Sequence, residues 1–557
     1  QTKPKMSTNF TAPGPGQWEL DRSHFTGGTT PIMKWLLSNA IESAYLKQWA
    51  LLGIPAETLS VSFVHGFMYT RLRPLVRPDK PSAKPPPTLL LKVVSRLHPE
   101  FRRRTAAARR TLAESPAPPV IADWHATLRP RLVAQNLAFQ DVALKELDDA
   151  DLVSHLEAVL AHLGNTFEEH FRLHGYDLGP IGQLLMAGNE WGIPSQEMLV
   201  ALGGASPSTI EPLKALARIR AALAEEGATP SSLSEVEAAS QSAAEELRSY
   251  LRLRGSVLFS GYDLDTPTLG ESPGVILANI LNGDGATATH DAEGITGVLR
   301  ERVPREERVR FDELLHAARE AMDLRDDNGP VTAEWPCGLL RLGMLEAGSR
   351  LASSGRLHEP THVFELDHAE LLDVVAGGGQ SSADDLASRA AERAAEKDLD
   401  PPLTLGPPEA LPPPEVLPKP LATTVAIVQT VITELSMGNH AEEPAVGNEP
   451  RLSGNGVGTK TFIGVARVAE NAAEAFERLE PGEILVTRTT SPAYNMVLSL
   501  VGGLVTAEGG PMSHAAVLSR EFGIPAVVGA PDAMNAIGDG DQIEIDPFHG
   551  VVRPVVS

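Results

Sequence analysis

A single cysteine, Cys337, occurs in 557 residues. No disulfide framework and no cysteine zinc site can be built from it, and a reducing compartment is implied. Aromatic residues make up only 5%. Positive charge is also short, with 48 Lys and Arg against 72 Asp and Glu, for a net −24. So acidic a chain repels phosphate backbones and anionic lipid, which argues against nucleic-acid and membrane partners. No apolar run reaches the roughly 18 residues of a membrane span. The leading stretch QTKPKMSTNF lacks the apolar core of a signal peptide, and Met6 is read as the native start. A soluble, cytoplasmic protein is expected.

What is present is ordinary globular composition, 42% hydrophobic and 22% charged. The length suits roughly three or four domains of about 150 residues. Glycine (48) and proline (45) are in surplus, and their placement divides the chain. Residues 6–375 read as a large all-α domain for binding substrate. PIMKWLLSNAIESAYLKQWALLG repeats apolar residues at three and four and stops at Gly53; EVEAASQSAAEELRSYLRLRG and RVRFDELLHAAREAMDLRDDNG behave alike. TLLLKVVSRL suits strand or helix. Residues 376–450 read as a flexible, Pro-rich linker, densest in DPPLTLGPPEALPPPEVLPKP. Proline fixes φ and removes a donor, so this stretch is a free linker or an extended strap on the helical body. Residues 451–557 change to strand period in FIGVARV, EILVT, AVVG, DQIEI and GVVRPV, with one compact helix inserted. The expected class is therefore multidomain: all-α, then linker, then small α/β.

The richest stretch is GGLVTAEGGPMSHAAVLSREFGIPAVVG, residues 502–529. It reads strand, glycine turn, helix, Gly523 stop, strand. Ser513 is a good N-cap, placing His514 in the first helical turn. Gly509 and Gly510 leave room for a phosphate or another backbone to approach. The helix N-terminus offers free N–H groups and partial positive charge, which favours a phosphoryl anion and disfavours imidazolium. A neutral histidine at an anion seat suits phosphate exchange, although a capped helix with a first-turn histidine is more often structural.

GGPMSHAAVLSREFGIPAVVG resembles the phosphohistidine motif of the swivelling domain in PEP-utilising enzymes, the family of PEP synthase, pyruvate phosphate dikinase and rifampin phosphotransferase. The resemblance implies that His514 is phosphorylated, that Ser513 and Arg254 share in catalysis, and that the domain swings between two sites. Gly509, Gly510 and Arg520 become candidate phosphate-binding residues. GQWELDRSHFTGGTTPIM, LRLRGSVLFSGYDLDTPTLGESP and GLLRLGMLEAGSRLASSGRLHEPTHVFELDHAELLDVV resemble the antibiotic-binding domain of the rifampin enzymes. His24 and Asp263 become candidate substrate residues there, and Glu190, in AGNEWGIPSQE between two helices, is a further candidate on its own account as a pocket-lining residue. The family's GEID-type motif, followed by Pro-Arg-Trp, stands here as GYDLDTPTL, so Arg254 and Asp263 are assigned its charge. A substrate other than simply rifampin follows.

The family's ATP-grasp part is not recognised in these residues, nor is any G-x-x-x-x-G-K-[ST] loop. Gly454, Gly456 and Gly458 precede no helix and make no dinucleotide site. No cofactor is expected on this chain alone; ATP and Mg²⁺ act through a separate ATP-grasp subunit. His170 and His174, beside Glu168 and Glu169, have ligand spacing but no third ligand, so no metal is expected. His155 and His162 mark a buried helix face, and Trp191 stands beside Glu190 near a possible pocket. Arg102–Arg104 with Arg109 and Arg110 form a solvated face or a dock for an acidic partner.

The expected function is phosphoryl transfer to a hydroxyl-bearing small molecule, natural products included, through His514. One alternative is a nucleotide-independent dehydratase or isomerase with His514 as general acid or base, or dehydration through a phosphorylated intermediate. Another is a non-catalytic regulatory subunit.

Overall fold

In the computed structural model, residues 9–555 are described apart from 22–24, 26, 85–86, 260, 283–291, 437–451, 459 and 491–493. Two compact units are each assembled from separate stretches: Gln1–Gly175, Tyr262–Thr266 and Asn328–Ala426 in the first, Tyr176–Gly261, Pro267–Asp327 and Ile427–Ser557 in the second. Among the described residues, no helix is long and apolar enough to cross a membrane.

The first unit is mainly helical but not all-α. Helix Pro31–Leu52 starts on a proline and stops where Gly53 adopts φ 77°, its N–H returning to the Trp49 carbonyl. The next segment turns into a hairpin of β2 (Ala56–Val64) and β3 (Phe67–Pro74). His65 and Gly66 between them take φ of 48° and 72°. Two successive left-handed residues make the tight turn whose twist suits a hairpin, and Val64 pairs with Phe67 across it. β1 (Trp18–Leu20) pairs antiparallel with β3 and with β4 (Thr404–Leu405), giving the sheet order β2-β3-β1-β4. The ambiguous TLLLKVVSRL is the helix Thr88–Leu97.

Nor is the stretch 376–450 a free linker where it is described. It holds helices Ala383–Glu396 and Lys419–Ser436 besides β4. The proline run between them lies against the first unit. Glu409 makes a two-pronged ion pair with Arg71, 2.8 Å at each contact, with both side chains buried. The Tyr69 hydroxyl donates to the Pro402 carbonyl at 2.8 Å, and Ser95 donates to the Val416 carbonyl at 2.9 Å. Val416, Leu417 and Leu421 bury against Phe101 and Ala108. Proline lacks a donor but keeps its carbonyl, so a proline strap docks by accepting hydrogen bonds.

In the second unit an eight-stranded sheet runs β5-β12-β11-β7-β8-β9-β10-β6. Its members are β5 (Leu452–Ser453), β6 (Asn455–Val457), β7 (Phe462–Val468), β8 (Ile484–Thr487), β9 (Gly503–Thr506), β10 (Ala526–Val528), β11 (Gln542–Asp546) and β12 (Val551–Pro554). The pairs β7/β8, β8/β9 and β9/β10 are parallel. Helix His514–Phe522 connects β9 to β10. The short helices Ala472–Arg478, Asn495–Leu498 and Ala533–Ala536 accompany it, where the strand pattern suggested one helix. Met496 sits in one apolar cluster with Leu216, Tyr250 and Ile280 from the helices of the same unit. The Tyr250 hydroxyl points at its sulfur, 3.7 Å away.

Candidate active site

Loops leaving the carboxyl ends of parallel strands are where α/β sheets place ligand sites. The loops after β8 and β9 both run to His514. Leaving β9, the chain is steered by Ala507 N–H donating to the Thr487 carbonyl at 3.0 Å and Glu508 N–H donating to the Arg488 carbonyl at 2.7 Å. It then folds back at Gly509, whose φ is 109°. A Cβ at Gly509 would come within 2.9 Å of both Cβ and Oγ of Ser513, so glycine is required there by the turn itself. The Gly510 carbonyl accepts from Ser513 N–H at 2.9 Å. Ser513 caps the helix, its hydroxyl accepting from Ala516 N–H at 3.4 Å, and Gly523 closes it at φ 66°.

His514 is half-buried in the first helical turn, and both ring nitrogens have partners. Asn495 presents its amide oxygen 2.8 Å from Nε2. An amide oxygen only accepts, so Nε2 carries the ring proton. Nδ1 therefore accepts from the Thr490 hydroxyl at 2.9 Å. Burial, and then the charge of Arg325, push the imidazole down to about 3. The ring is neutral at pH 7 for those reasons, which act in the same direction as the helix terminus expected from sequence.

Arg325, on helix Arg308–Gly329, donates through Nη2 to the Met512 carbonyl at 3.5 Å. Its Nη1 is buried and has no hydrogen-bond partner among the described residues. Arg520 donates to the Pro511 carbonyl at 2.5 Å, and burial lowers it to about 10 against the pull of Glu434 and Glu521. It braces the loop ahead of His514. Met512 N–H donates to the Glu434 carbonyl at 2.9 Å. Glu521 accepts from Gly204 N–H at 2.7 Å; burial, with Asp326 adding to it, pushes its carboxyl up to about 7.

The remaining sequence candidates are not gathered here. Arg254 ends helix Gln241–Arg254, half-exposed, where its charge acts on Tyr250; the cation that acts on His514 is Arg325. Asp263 belongs to the first unit, accepting from Thr30 N–H at 2.8 Å and from the Thr30 hydroxyl at 2.5 Å. Burial and Asp265 raise its carboxyl. Glu190 is exposed and pairs with Arg310 at 3.1 Å, while the same guanidinium lies 5.7 Å from the Trp191 ring centre, so this corner is surface rather than pocket. His24 lies outside the described residues. His170 and His174 face each other with their Nε2 atoms 3.1 Å apart, and His170 meets the Thr332 hydroxyl at 3.0 Å. No group of three His, Cys, Asp or Glu among the described residues is arranged to hold a metal ion. His162 is buried on Asn136 at 2.7 Å, and burial lowers it to about 4, as its helix face suggested.

Thr490, Asn495, Arg325 and Glu521 were missed. Thr490 and Asn495 lie 24 and 19 residues before His514, a separation with no local signature. Arg325 sits in the amphipathic pattern RVRFDELLHAAREAMDLRDDNG, where one arginine reads as solvent-facing.

The PEP-utilising enzyme mobile domain family matches residues 479–550, the strands and loops just described. Rifampicin phosphotransferase of Streptomyces sviceus is 34% identical over 212 residues, 38% of this chain and 21% of that protein. Phosphoenolpyruvate synthase of Aeropyrum pernix is 42% identical over 89 residues, 16% of this chain and 11% of that protein. Chondramide synthase cmdD of Chondromyces crocatus is 49% identical over 89 residues, 16% of this chain and 2% of that protein. The similarity thus spans about a fifth or less of these relatives. The likeness to the PEP-utilising enzymes is thus carried by the mobile domain at residues 479–550.

Proposed function

We propose that the chain is a phosphotransferase-type enzyme in which His514 accepts a phosphoryl group and passes it to the hydroxyl of a small molecule. The observation that carries this reading is a neutral imidazole held at both nitrogens beside Arg325, a cation with an unused buried nitrogen. Nδ1 faces the buried Thr490, whereas Nε2 faces the half-exposed Asn495, so Nε2 is the atom that takes phosphorus. For this the ring proton moves to Nδ1, where the Thr490 oxygen accepts it, and Asn495 turns aside. In the transfer step the substrate oxygen bonds to phosphorus as the P–N bond breaks. The electron pair returns to Nε2, leaving the ring neutral with its proton on Nδ1, and the hydroxyl proton passes to a phosphoryl oxygen of the product. The Arg325 guanidinium offsets charge on the transferring group, the dominant need of such a step.

A histidine pushed down to about 3 is a poor general base near neutrality, which weighs against the acid–base dehydratase reading. The name of the Streptomyces sviceus relative supports a hydroxyl-bearing, natural-product-like acceptor. We assign nucleotide use to an ATP-grasp protein acting in trans. The test is conversion of candidate acceptors with ATP and an ATP-grasp protein. Phosphorylated product that requires His514 supports the reading. Dehydrated or isomerised product formed without nucleotide opposes it.

A further inference from the structure

Charge on this acidic chain is unevenly placed. Residues 71–110 hold 12 of the 48 Lys and Arg but only 2 of the 72 Asp and Glu. Much of this charge rides on two adjoining helices of the first unit, Thr88–Leu97 and Pro99–Glu114. Arg71, Arg73, Arg103 and Arg104 are engaged in ion pairs with Glu409, Glu57 and Glu100. Lys92, Arg96, Arg102, Arg109 and Arg110 are exposed and make no ion pair among the described residues.

The first of these helices is amphipathic in an unusual way. Leu91 and Val94 pack inward against the cluster of Phe101, Ala108, Val416 and Leu417, and Ser95 is tied to the Val416 carbonyl at 2.9 Å. The helix is therefore anchored. Its outer face is also apolar: Leu89, Leu90, Val93 and Leu97 are exposed by 75%, 52%, 45% and 70%. Single exposed leucines are ordinary on a protein surface. Four on one ten-residue helix, with Leu89 and Leu90 followed by Val93 and Leu97 at three to four residues, form a continuous stripe. Lys92 and Arg96, one turn apart, run along its edge.

We propose that this stripe and its cations dock an amphipathic helix of a partner protein whose apolar face is flanked by Asp and Glu. An apolar centre with a charged rim is the composition of helix-in-groove recognition, where leucine anchors supply affinity and rim charges supply orientation and association rate. The charge complementarity selects the partner. An anionic membrane surface fits less well, because a four-residue apolar face on a ten-residue helix is small and the chain as a whole carries −24. A second copy of this chain would have to bring its own acidic helix to the stripe. This inference does not depend on phosphoryl transfer at His514.

The test uses the full chain and three probes: a designed amphipathic peptide with leucines at heptad spacing flanked by glutamates, the same peptide with lysine for every glutamate, and phosphatidylcholine vesicles containing phosphatidylserine. The glutamate peptide is expected to bind at least tenfold more tightly than the lysine peptide, and less tightly as salt rises. Val93→Ser/Leu97→Ser, and separately Lys92→Glu/Arg96→Glu/Arg102→Glu, are each expected to weaken that binding at least tenfold. All five positions are exposed, and only Arg96 gives up a contact beyond its own helix, 3.5 Å to the Val416 carbonyl, so the melting temperature should fall by no more than a few degrees. Equal binding of the two peptides, or binding indifferent to both sets of substitutions, overturns the proposal. So does vesicle binding without peptide binding, or a homodimer dissolved by the same substitutions.

Discussion

The Thr490 hydroxyl and Nδ1 of His514 are 2.9 Å apart, linking the loop after β8 to the helix after β9. The hydroxyl serves Nδ1 in either tautomer, donating when the proton is on Nε2 and accepting when it is on Nδ1. Thr490→Val keeps the side-chain shape and removes this partner. It should cost about 1 kcal/mol of stability and slow phosphoryl acceptance at His514 by about ten- to a hundredfold. Rapid-quench labelling compared with denaturant midpoints checks both halves; an unchanged labelling rate removes Thr490 from the account.

Arg325 carries a buried Nη1 with no partner among the described residues, and its Nη2 reaches the Met512 carbonyl at 3.5 Å. Arg325→Met loses that one long hydrogen bond and should cost about 1 kcal/mol of stability. Transfer from phosphohistidine to the acceptor should slow by about 10²–10³-fold, the range seen when one charge-stabilising donor is lost. Single-turnover kinetics on preloaded protein gives the answer. A slowdown smaller than threefold places the stabilising charge elsewhere.

The buried pair Arg71–Glu409 fastens the proline strap to β3. Glu409→Ala strands the guanidinium and should destabilise the first unit by about 3–5 kcal/mol. In the wild-type protein, limited proteolysis should spare residues 400–420. The variant should be cut there early. Equal susceptibility of the two would mean that the strap is not held through this pair.

Glu521 is ionised less readily when packed than when solvated, its carboxyl being pushed up to about 7 from 4.5. A raised acid favours the packed state fully below 4.5, and that advantage is lost as pH rises to about 7. His514, pushed down from 6.5 to about 3, acts oppositely, since the unfolded ring takes up a proton first as pH falls. The comparison that isolates Glu521 is wild type against Glu521→Gln in the His514→Ala background. Between pH 7 and 4.5 the carboxyl form should gain up to about 3 kcal/mol relative to the amide. Parallel stability–pH curves would show that Glu521 is not buried as described.

The mobile domain was legible because each local signal agreed with the global fold: strand period, the Ser513 cap, the Gly523 stop and the turn at Gly509. The first unit was less so. The β2–β3 hairpin turns on His65-Gly66 rather than Asn-Gly, and its strands AETLSVSFV and FMYTRLRP sit among helices whose pattern dominates. The strap's docking rests on a partner 338 residues away, which proline content cannot announce. The same holds for His514. Its place in the motif was readable, but Thr490, Asn495 and Arg325 reach it only through folding, and Arg254 was a nearby-sounding substitute for the last of these.

Whether His514 carries the phosphoryl group is decided by mapping the modification site. The chain is incubated with ATP and an ATP-grasp protein, digested at alkaline pH and analysed by mass spectrometry. One phosphoryl group is expected on the peptide containing His514, stable in base, lost in acid and absent from His514→Ala. Turnover of the true substrate by a chain that never bears phosphate on His514 would contradict it.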